Sequence, residues 1–357
     1  MVELFMLPAL CGDCLWLEYG SADAKKRILI DCGLPGTWTM LKERISTLPK
    51  TQRHFELLVV THIDVDHIGG AISLLGARKD LGITFGEIWF NGQQHLPDDA
   101  LGKAHADKLS ELLSEDDLLP IWNARFGGAV VVPDTGDLPH HRFDDFAITL
   151  LSPTPAGLAN LLDVWPKATA QAGISSEAQH EDEVSEPPLV EDEDDDRLGA
   201  ERADVASLLA QEAPTLDSKE PNGSSIAFIL EVDGARILFA ADAFAPVLER
   251  SIERLHKDKP CKLSAFKLSH HGSRRNITEA LLQKLECTKF LISSNGGRFP
   301  HPDAQTIALL VKDKVKKALY FNYRSKQTEL WDCSDLQYVH KFKAHYVEES
   351  EYKVPIK

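Results

Sequence analysis

The chain has 357 residues, of which 43% are hydrophobic and 26% charged, a composition that excludes collagenous, mucin-like and globally disordered proteins. Its formal net charge of −16 is concentrated in residues 177–202, which hold twelve acidic side chains and two arginines. The other 331 residues therefore carry only −6, so an anionic substrate is not excluded. With six cysteines and no basic, apolar leader at the N-terminus, we expect a cytoplasmic protein that does not associate with membranes.

Short apolar runs separated by turn residues predict several strands in the first part of the chain. The run 57–60 is continuously apolar, which is typical of a strand buried on both faces. A helical pattern begins at Ala71, and a second helical region is expected over 99–119. The strands predicted in this part are 2–7, 15–19, 27–30, 57–60, 88–90, 129–132 and 146–151.

Residues 155–221 differ in composition from the rest of the chain. We predict that they form an insertion in a single domain that spans residues 1–357. The acidic part of this insertion, 177–202, has too few apolar side chains to offset the entropy of ordering, so we expect it to be disordered. An alternative is that the acidic part binds a basic protein partner or covers the functional site.

From Ser224 onward the sequence again predicts ordered strands and helices. Two apolar runs flank Asp233-Gly234, a pair that favours the type I′ turn of a hairpin. Strands are predicted at 226–232, 236–240, 265–268, 290–293, 319–322 and 338–346, and helices at 246–255, 278–285 and 303–312.

The strongest chemical signal is His62-x-Asp64-x-Asp66-His67, directly after the buried run 57–60. In a turn between a strand and a helix, these four side chains can point into one pocket. Imidazole and carboxylate suit zinc, manganese or iron, and several carboxylates favour two cations over one. An aspartate that caps a helix would explain one carboxylate, but not two aspartates with two histidines. Gly69-Gly70 would let the start of the helix pack closely against the sheet.

Two later polar clusters also follow predicted strands. Asp242 ends the hairpin, where a buried carboxylate needs a partner such as a cation, although it could instead cap the next helix. His270-His271-Gly272-Ser273 follows the strand at 265–268. Three such clusters at strand ends predict a site for two metal ions.

Together these motifs resemble the metallo-β-lactamase fold superfamily, and most closely its branch typified by the C-terminal domain of the competence protein ComEC. That branch has an aspartate where the wider superfamily has its second motif histidine, as Asp64 is here. The resemblance implies an α/β fold, a four-layer αββα sandwich with two divalent metal ions, Zn²⁺ or Mn²⁺, at one edge of the paired sheets. Other matches to the branch are Gly12-Asp13, Ile30-Asp31, Asn222-x-x-Ser225, Asn295 and His301-Pro302.

The resemblance also implies the metal ligands. His270 is an alternative to His271 at the second metal, and the choice between them stays open. The wider superfamily has a further histidine near the position of Asn222, so the first metal here has one nitrogen ligand fewer, which favours Mn²⁺ or weaker Zn²⁺ binding. His95, His140 and His141 are other potential ligands, although each is expected to lie in a loop. The implied ligands are His62 and Asp64 for the first metal, Asp66, His67 and His271 for the second, and Asp242 for both.

The implied chemistry is hydrolysis by a hydroxide that bridges the two metal ions. Asp66 would orient the hydroxide, and His301 would donate a proton to the leaving group or bind substrate, unless it is purely structural. Arginines directly after the histidine pair are placed to meet phosphoryl oxygens, unless they form a solvated loop. The predicted substrate-binding residues are Asn222, Ser273, Arg274 and Arg275.

We therefore expect a metal-dependent phosphodiesterase or nuclease whose substrate is a phosphate ester, either nucleic acid or a nucleotide. One alternative is a metallohydrolase of a carbonyl ester such as a lactone or thioester, for which a full set of histidines would be expected. The other is a non-enzymatic module that binds a protein partner through the acidic insertion. Basic clusters at 314–317 and 324–326 enclose aromatic residues, a pattern that fits a core strand better than a nucleic-acid surface.

Overall fold

The computed structural model describes residues 2–21, 23–96, 108–171, 203–257 and 259–356. The acidic segment 177–202 and the first part of the helix expected over 99–119 lie outside these ranges. Among the helices within these ranges, none has the length and apolar character that a membrane crossing requires.

The first of two large sheets is mixed and has six strands. They are β1 Glu3–Met6, β2 Leu15–Ser21, β3 Ala24–Ile30, β4 His54–Val59, β5 Thr84–Trp89 and β16 Lys353–Pro355. The spatial order is β16-β1-β2-β3-β4-β5, antiparallel from β16 to β3 and parallel from β3 to β5. Leu57 and Val59 of β4 face one core and Leu58 faces the other, which confirms a strand buried on both faces.

The second sheet has eight strands. They are β6 His140–Arg142, β7 Phe146–Leu150, β8 Phe228–Val232, β9 Ala235–Phe239, β11 Ala265–Lys267, β13 Lys289–Ile292, β14 Lys317–Phe321 and β15 Phe342–Tyr346. The spatial order is β15-β14-β13-β11-β9-β8-β7-β6, parallel from β15 to β9 and antiparallel from β9 to β6. Two short strands, β10 Cys261–Lys262 and β12 Leu285–Glu286, form a separate parallel pair.

The hairpin of β8 and β9 is built as the sequence predicts. Val232 pairs with Ala235, so the connection has the two residues Asp233 and Gly234. Their φ angles of 48° and 72° are those that a type I′ turn requires.

Helices cover the outer faces of the two sheets, whose inner faces share one apolar core. The predicted α/β architecture, a four-layer αββα sandwich, is therefore confirmed. The helices are α1 Thr37–Ser46, α2 Val65–Leu81, α3 Lys108–Leu113, α4 Pro155–Gln171, α5 Val205–Ala210, α6 Glu220–Gly223, α7 Ala245–His256, α8 Glu279–Gln283, α9 Ala304–Val311, α10 Lys326–Glu329 and α11 Ser334–His340.

Two predicted strands differ from the structure. Residues 129–132 form no strand, because Val130 exchanges hydrogen bonds with the side chain of Asn91 instead of a neighbouring strand. The strand predicted at 338–346 begins only at Phe342, since α11 occupies the preceding residues.

The described ends of the predicted insertion 155–221 are packed parts of the fold. Helix α4 buries Leu158, Leu161 and Trp165 in the core on the outer side of the first sheet. The division of the chain into one domain with an insertion stays a prediction.

Several polar segments follow strands at one edge of the sandwich. In the first sheet Asp31 follows β3, and the segment 61–67 follows β4. In the second sheet Asp242 follows β9, the histidine pair 270–271 follows β11, and Ser293 follows β13. Because β3 and β4 are parallel, as are β9, β11 and β13, their carboxyl ends lie together and converge on one site.

Candidate metal centre

The segment between β4 and α2 carries the first group of candidate ligands. Helix α2 begins at Val65, earlier than the predicted Ala71, so Asp66 and His67 lie in its first turn. Asp64 occupies the N-cap position, but its carboxylate makes no capping hydrogen bond in the described structure. The carboxylate of Asp64 is therefore available for another partner.

Two glycines allow α2 to approach the segment after β3. A Cβ atom on Gly70 would lie 2.3 Å from the carbonyl oxygen of Cys32, and one on Gly69 would lie 2.4 Å from Cδ of Pro35. Neither position tolerates a side chain without displacing this segment. The start of α2 therefore packs closely on the segment that follows β3, not on the strands themselves as predicted, and this contact holds the first helical turn at the sheet edge.

Asp242 lies between four imidazole rings and is only 2% exposed. Its Oδ1 is 3.4 Å from Nε2 of His67 and 3.9 Å from Nε2 of His271. Its Oδ2 is 3.9 Å from Nε2 of His62 and 3.7 Å from Nε2 of His270. Because the two oxygens face different pairs of histidines, Asp242 is placed to bridge two cations.

Two further carboxylates flank this arrangement. Oδ2 of Asp64 lies 3.9 Å from Nε2 of His62, and Oδ2 of Asp66 lies 3.4 Å from Nε2 of His271. Ligands bound at about 2.0–2.2 Å to one cation are separated by comparable distances. We therefore distinguish a first half-site, made of His62, Asp64 and Oδ2 of Asp242, and a second half-site, made of Asp66, His67, His271 and Oδ1 of Asp242.

Several ligand atoms in the half-sites are buried and unsatisfied. Within the described residues, Nε2 of His62, His67 and His271 and Oδ1 of Asp242 have no hydrogen-bond partner. Buried polar atoms are normally hydrogen-bonded, so this concentration of unsatisfied atoms needs an explanation. Divalent cations would satisfy all four atoms, and the donor set fits a binuclear metal site. Among the residues that the structure describes, two buried groups have ligand atoms that all lie within 4.8 Å of one another, and both include His67: His62-His67-Asp242 and Asp13-His67-His271.

Asp31 orients two of the histidines from behind. Its Oδ2 accepts a hydrogen bond from Nδ1 of His67 at 2.8 Å and another from Oγ1 of Thr61 at 2.9 Å. Oγ1 of Thr61 is in turn 3.0 Å from Nδ1 of His62. With Nδ1 occupied by these contacts, each ring turns its Nε2 lone pair toward Asp242, as in carboxylate–histidine–metal arrangements.

The replacement Asp31→Asn is expected to weaken metal binding by about 10–100-fold, because it removes the charge that holds the rings of His67 and, through Thr61, His62. Isothermal titration with Mn²⁺ measures the change. Asp137→Asn, at an exposed loop position, is the matched control and should bind as the wild type does. Equal dissociation constants for the Asp31 variant and the wild type would contradict this role.

A buried ion pair lies behind His271. Oδ2 of Asp13 accepts a hydrogen bond from Nζ of Lys267 at 2.7 Å, and neither side chain is more than 1% exposed. Oδ1 of Asp13 lies 3.5 Å from Nδ1 of His271, the nitrogen that also donates to the carbonyl oxygen of Ser293. Burial alone would raise the pKa of Asp13, but the charges of Lys267 and His271 hold that pKa well below its usual value. Asp13 therefore stays anionic and positions His271 from the Nδ1 side.

Gly12 places Asp13 against the metal centre. The backbone N–H of Asp13 donates to the carbonyl oxygen of Asp66, and a Cβ atom on Gly12 would lie 1.9 Å from that oxygen. The Gly12-Asp13 pair, noted in the sequence only as part of the family resemblance, therefore packs directly on the first turn of α2.

The side chains of the centre perturb one another strongly. Burial lowers the pKa of His62 to about 3. Burial acts in the same direction on His67, but the carboxylates of Asp242 and Asp31 outweigh it and raise the pKa of His67 to about 10. Burial and two neighbouring carboxylates raise the pKa of Asp64 to about 6. The carboxylates therefore repel one another, and bound cations would relieve that repulsion.

The two predicted phosphate-binding arginines contact backbone carbonyls. Arg274 donates from Nη1 to the oxygen of Ile277 at 2.6 Å. Arg275 donates to the oxygens of Thr215 and Leu216 at 3.0 and 3.3 Å. The contacts of Arg275 hold the segment before α6, and the substrate-binding role of both arginines stays a prediction.

The other predicted substrate and catalytic residues lie beside the histidine pair. Asn222 and Ser273 are each 1% exposed, and the amide nitrogen of Asn222 lies 3.4 Å from Nδ1 of His270. The ring centre of His301 lies 5.4 Å from that of His270. The structure brings Asn222 and His301 to the site, while their roles, like that of Ser273, stay predictions.

Three other histidines considered in the sequence lie elsewhere in the fold, and the prediction that all three lie in loops is wrong, because His140 and His141 belong to β6. His95 packs on Trp122 with ring centres 4.7 Å apart, and Nδ1 of His140 is 3.0 Å from Oγ1 of Thr149. His141 packs against Phe126 at 4.7 Å. In the part of the chain that the structure describes, none of these three belongs to either half-site.

Comparison with known proteins gives the family. The family model for the metallo-beta-lactamase superfamily matches residues 12–293. No curated protein matches this chain. The metallo-β-lactamase fold protein YhfI from Bacillus subtilis is 10% identical, with a TM-score of 0.44, and the alignment covers 90% of this chain and 96% of YhfI.

A second solved structure, the diiron β-hydroxylase CmlA from Streptomyces venezuelae, is 13% identical with a TM-score of 0.42. The alignment covers 89% of this chain and 52% of CmlA, so the chain spans about half the length of that protein. The resemblance to the ComEC-type branch stays a prediction. Because the family match runs from the segment beside the centre through the last strand-end cluster, the chain belongs to the metallo-β-lactamase superfamily.

Proposed function

We propose that this metal-dependent hydrolase is a phosphodiesterase that acts on a nucleotide or nucleic acid. The observation that carries the proposal is a carboxylate-rich centre beside an exposed basic and aromatic group. We name this group the rim, and it consists of Lys219, Arg298 and Phe299.

The donor set favours phosphate chemistry. Asp64, Asp66 and Asp242 provide three carboxylates, and oxygen-rich sites suit hard cations such as Mn²⁺ that bind phosphate well. Two cations held there would supply Lewis-acid activation of water and of the phosphoryl group. The carboxylate oxygens of Asp64 and Asp66 lie in opposite half-sites and would orient the water and the phosphoryl group that bind between them.

The two cations of the rim lie near the ring of Phe299. Nζ of Lys219 is 5.8 Å from the ring centre of Phe299, and the guanidinium of Arg298 is 5.3 Å from the same ring. Lys219 is also one of the charges that act on the carboxyl of Asp64. Both cations are exposed and, within the described residues, form no ion pair. They can therefore bind the phosphate of an incoming diester.

The aromatic part of the rim connects to the histidine pair. Phe299 is 37% exposed, and its ring stacks on that of His301 at 6.4 Å. His301 in turn packs on His270 at 5.4 Å. Phe299 offers an exposed face for stacking a nucleobase, and His301, next to the centre, donates a proton to the leaving oxygen.

Hydrolysis of bis-p-nitrophenyl phosphate by protein loaded with Mn²⁺ or Zn²⁺ tests this function. We expect turnover that requires metal and that falls by at least about 100-fold in Asp66→Asn, because this carboxylate is itself in the second half-site. A lactone and a thioester are offered to the same preparation. Hydrolysis of the carbonyl esters alone would contradict the proposal and favour the carbonyl-ester alternative. Metal binding without turnover of any ester would favour the non-enzymatic module.

Removing the rim cations is expected to weaken substrate binding more than turnover. In Lys219→Ala and Arg298→Ala, KM for the diester should rise by about twofold to fivefold each, because an exposed ion pair contributes about 0.2–1 kcal/mol. Steady-state kinetics at low and high salt measure the effect, which should shrink as salt increases. Lys314→Ala, at an exposed position before β14, is the control. If a variant with both changes, Lys219→Ala and Arg298→Ala, has the wild-type KM, the rim does not take part in substrate binding.

A further inference from the structure

The first half-site has only one imidazole among the residues assigned to it so far. The segment that leads into the β8–β9 hairpin, residues 203–227, contains no histidine. Asn222 uses its amide nitrogen to donate to Oδ2 of Asp217 at 2.6 Å. A second imidazole for this half-site must therefore come from another element.

His270 faces the first half-site. Its Nε2 lies 3.7 Å from Oδ2 of Asp242, the same oxygen that His62 faces at 3.9 Å. The adjacent His271 faces Oδ1 instead, at 3.9 Å. The two neighbouring histidines thus turn to opposite halves of one bridging carboxylate.

The backbone explains how adjacent residues reach both halves. His270 has φ 47° and ψ 53°, and His271 has φ 53° and ψ 21°, so both lie in the left-handed region. Residues other than glycine adopt this conformation uncommonly, and such strain concentrates at functional sites. The tight turn after β11 separates the two ring centres by 6.0 Å and places one in each half-site.

A carboxylate holds the ring of His270, as Asp31 holds that of His67. Nδ1 of His270 lies 3.3 Å from Oδ2 of Asp217 and 2.9 Å from Oδ1 of Asn276. Asp217 is 7% exposed, and the amide nitrogens of Asn222 and Asn276 donate to its Oδ2 at 2.6 and 3.0 Å. With Nδ1 facing these acceptors, Nε2 is left as the metal-binding nitrogen.

We propose that His270 is the imidazole ligand that completes the first half-site, and that Asp217 is the residue that positions its ring. The turn after β11 then supplies one histidine to each cation. This assignment rests on the two-cation centre of the proposed function.

The test compares His270→Ala with His271→Ala, two truncations on the same turn, by Mn²⁺ titration and electron paramagnetic resonance. Wild-type protein should bind two ions per chain that are spin-coupled through Asp242. His270→Ala should retain one uncoupled ion at the second half-site, with its dissociation constant within about threefold of the wild-type value for that half-site, whose ligands are intact. His140→Ala, outside both half-sites, is the control and should bind two coupled ions.

Two coupled ions with unchanged dissociation constants in His270→Ala would overturn the assignment. So would loss of both ions from a variant with a native circular dichroism spectrum, since His270 would then not act on one half-site. A wild-type protein that binds two coupled ions but hydrolyses no phosphodiester would overturn the proposed function and leave this assignment standing.

Asp217→Asn tests the positioning role and keeps His270 in place, so it decides the matter if His270→Ala fails to fold. We expect the dissociation constant of the first ion to rise by about 10–100-fold while that of the second is unchanged. Identical constants for both ions in the variant and the wild type would overturn the role of Asp217.

Discussion

Asp242→Ala is expected to remove both cations from the centre and to lower hydrolysis by at least about 100-fold, since the change deletes a ligand of both half-sites at once. Within the described structure, Asp242 is the one side chain of the centre that lies near all four histidine rings. Its Oδ1 faces His67 and His271, and its Oδ2 faces His62 and His270. Metal content measured by mass spectrometry and turnover of the diester give the result.

The control for this change is Asp134→Ala, at an exposed loop position. It should keep both ions and full turnover. Retention of two ions by Asp242→Ala with wild-type dissociation constants would show that this carboxylate does not bridge the cations.

Lys267→Met is expected to destabilise the fold by about 3–5 kcal/mol, because it leaves the carboxylate of Asp13 buried without its partner. Both side chains are essentially inaccessible, and the ion pair between them is 2.7 Å long. The free energy of unfolding in urea, measured for the protein without metal, gives the size of the effect. A loss below about 1 kcal/mol would mean that the pair behaves like an exposed one.

The double variant Asp13→Leu/Lys267→Met separates stability from metal binding. Replacing both partners of a buried ion pair with apolar side chains is often close to neutral, so the double variant should recover much of the stability that Lys267→Met loses. The double variant should nevertheless bind metal more weakly than the wild type, because it lacks Asp13, which contacts Nδ1 of His271. Recovery of metal affinity together with stability would remove Asp13 from the set of positioning residues.

The parts of the fold and site that depend on local pattern could be predicted from the sequence. The apolar run before Thr61 predicts a strand buried on both faces, and the structure confirms it. Asp233-Gly234 predicts the hairpin that carries Asp242. Because parallel strands place their carboxyl ends at one edge, the polar clusters after these strands predict a common site, and they do converge there.

The residues that support the ligands could not be predicted in this way. Asp13 pairs with Lys267 from 254 positions away, and Asp217 contacts Asn276 across 59 positions. Such contacts arise only when the two sheets and their loops pack together, so no local periodicity reveals them. Asp31, at the end of a predicted strand, carried a weak signal as a polar residue after an apolar run.

The contacts of the residues that follow a ligand in the chain could not be predicted from sequence order either. Arg274 and Arg275 follow the histidine pair directly, yet their guanidinium groups bind backbone carbonyls. The left-handed backbone at His271 changes the direction of the chain, so being next to a ligand in the sequence does not determine where these two side chains point. Lys219 and Arg298, distant from each other in the chain, are the cations that meet at Phe299.

The most direct test of the two-cation centre is the number of metal ions per chain in wild-type protein that has been loaded with Mn²⁺ and dialysed. The unsatisfied nitrogens of His62, His67 and His271 around the bridging carboxylate of Asp242 predict two ions. One ion per chain, or none, would contradict the binuclear centre on which the proposed phosphodiesterase depends.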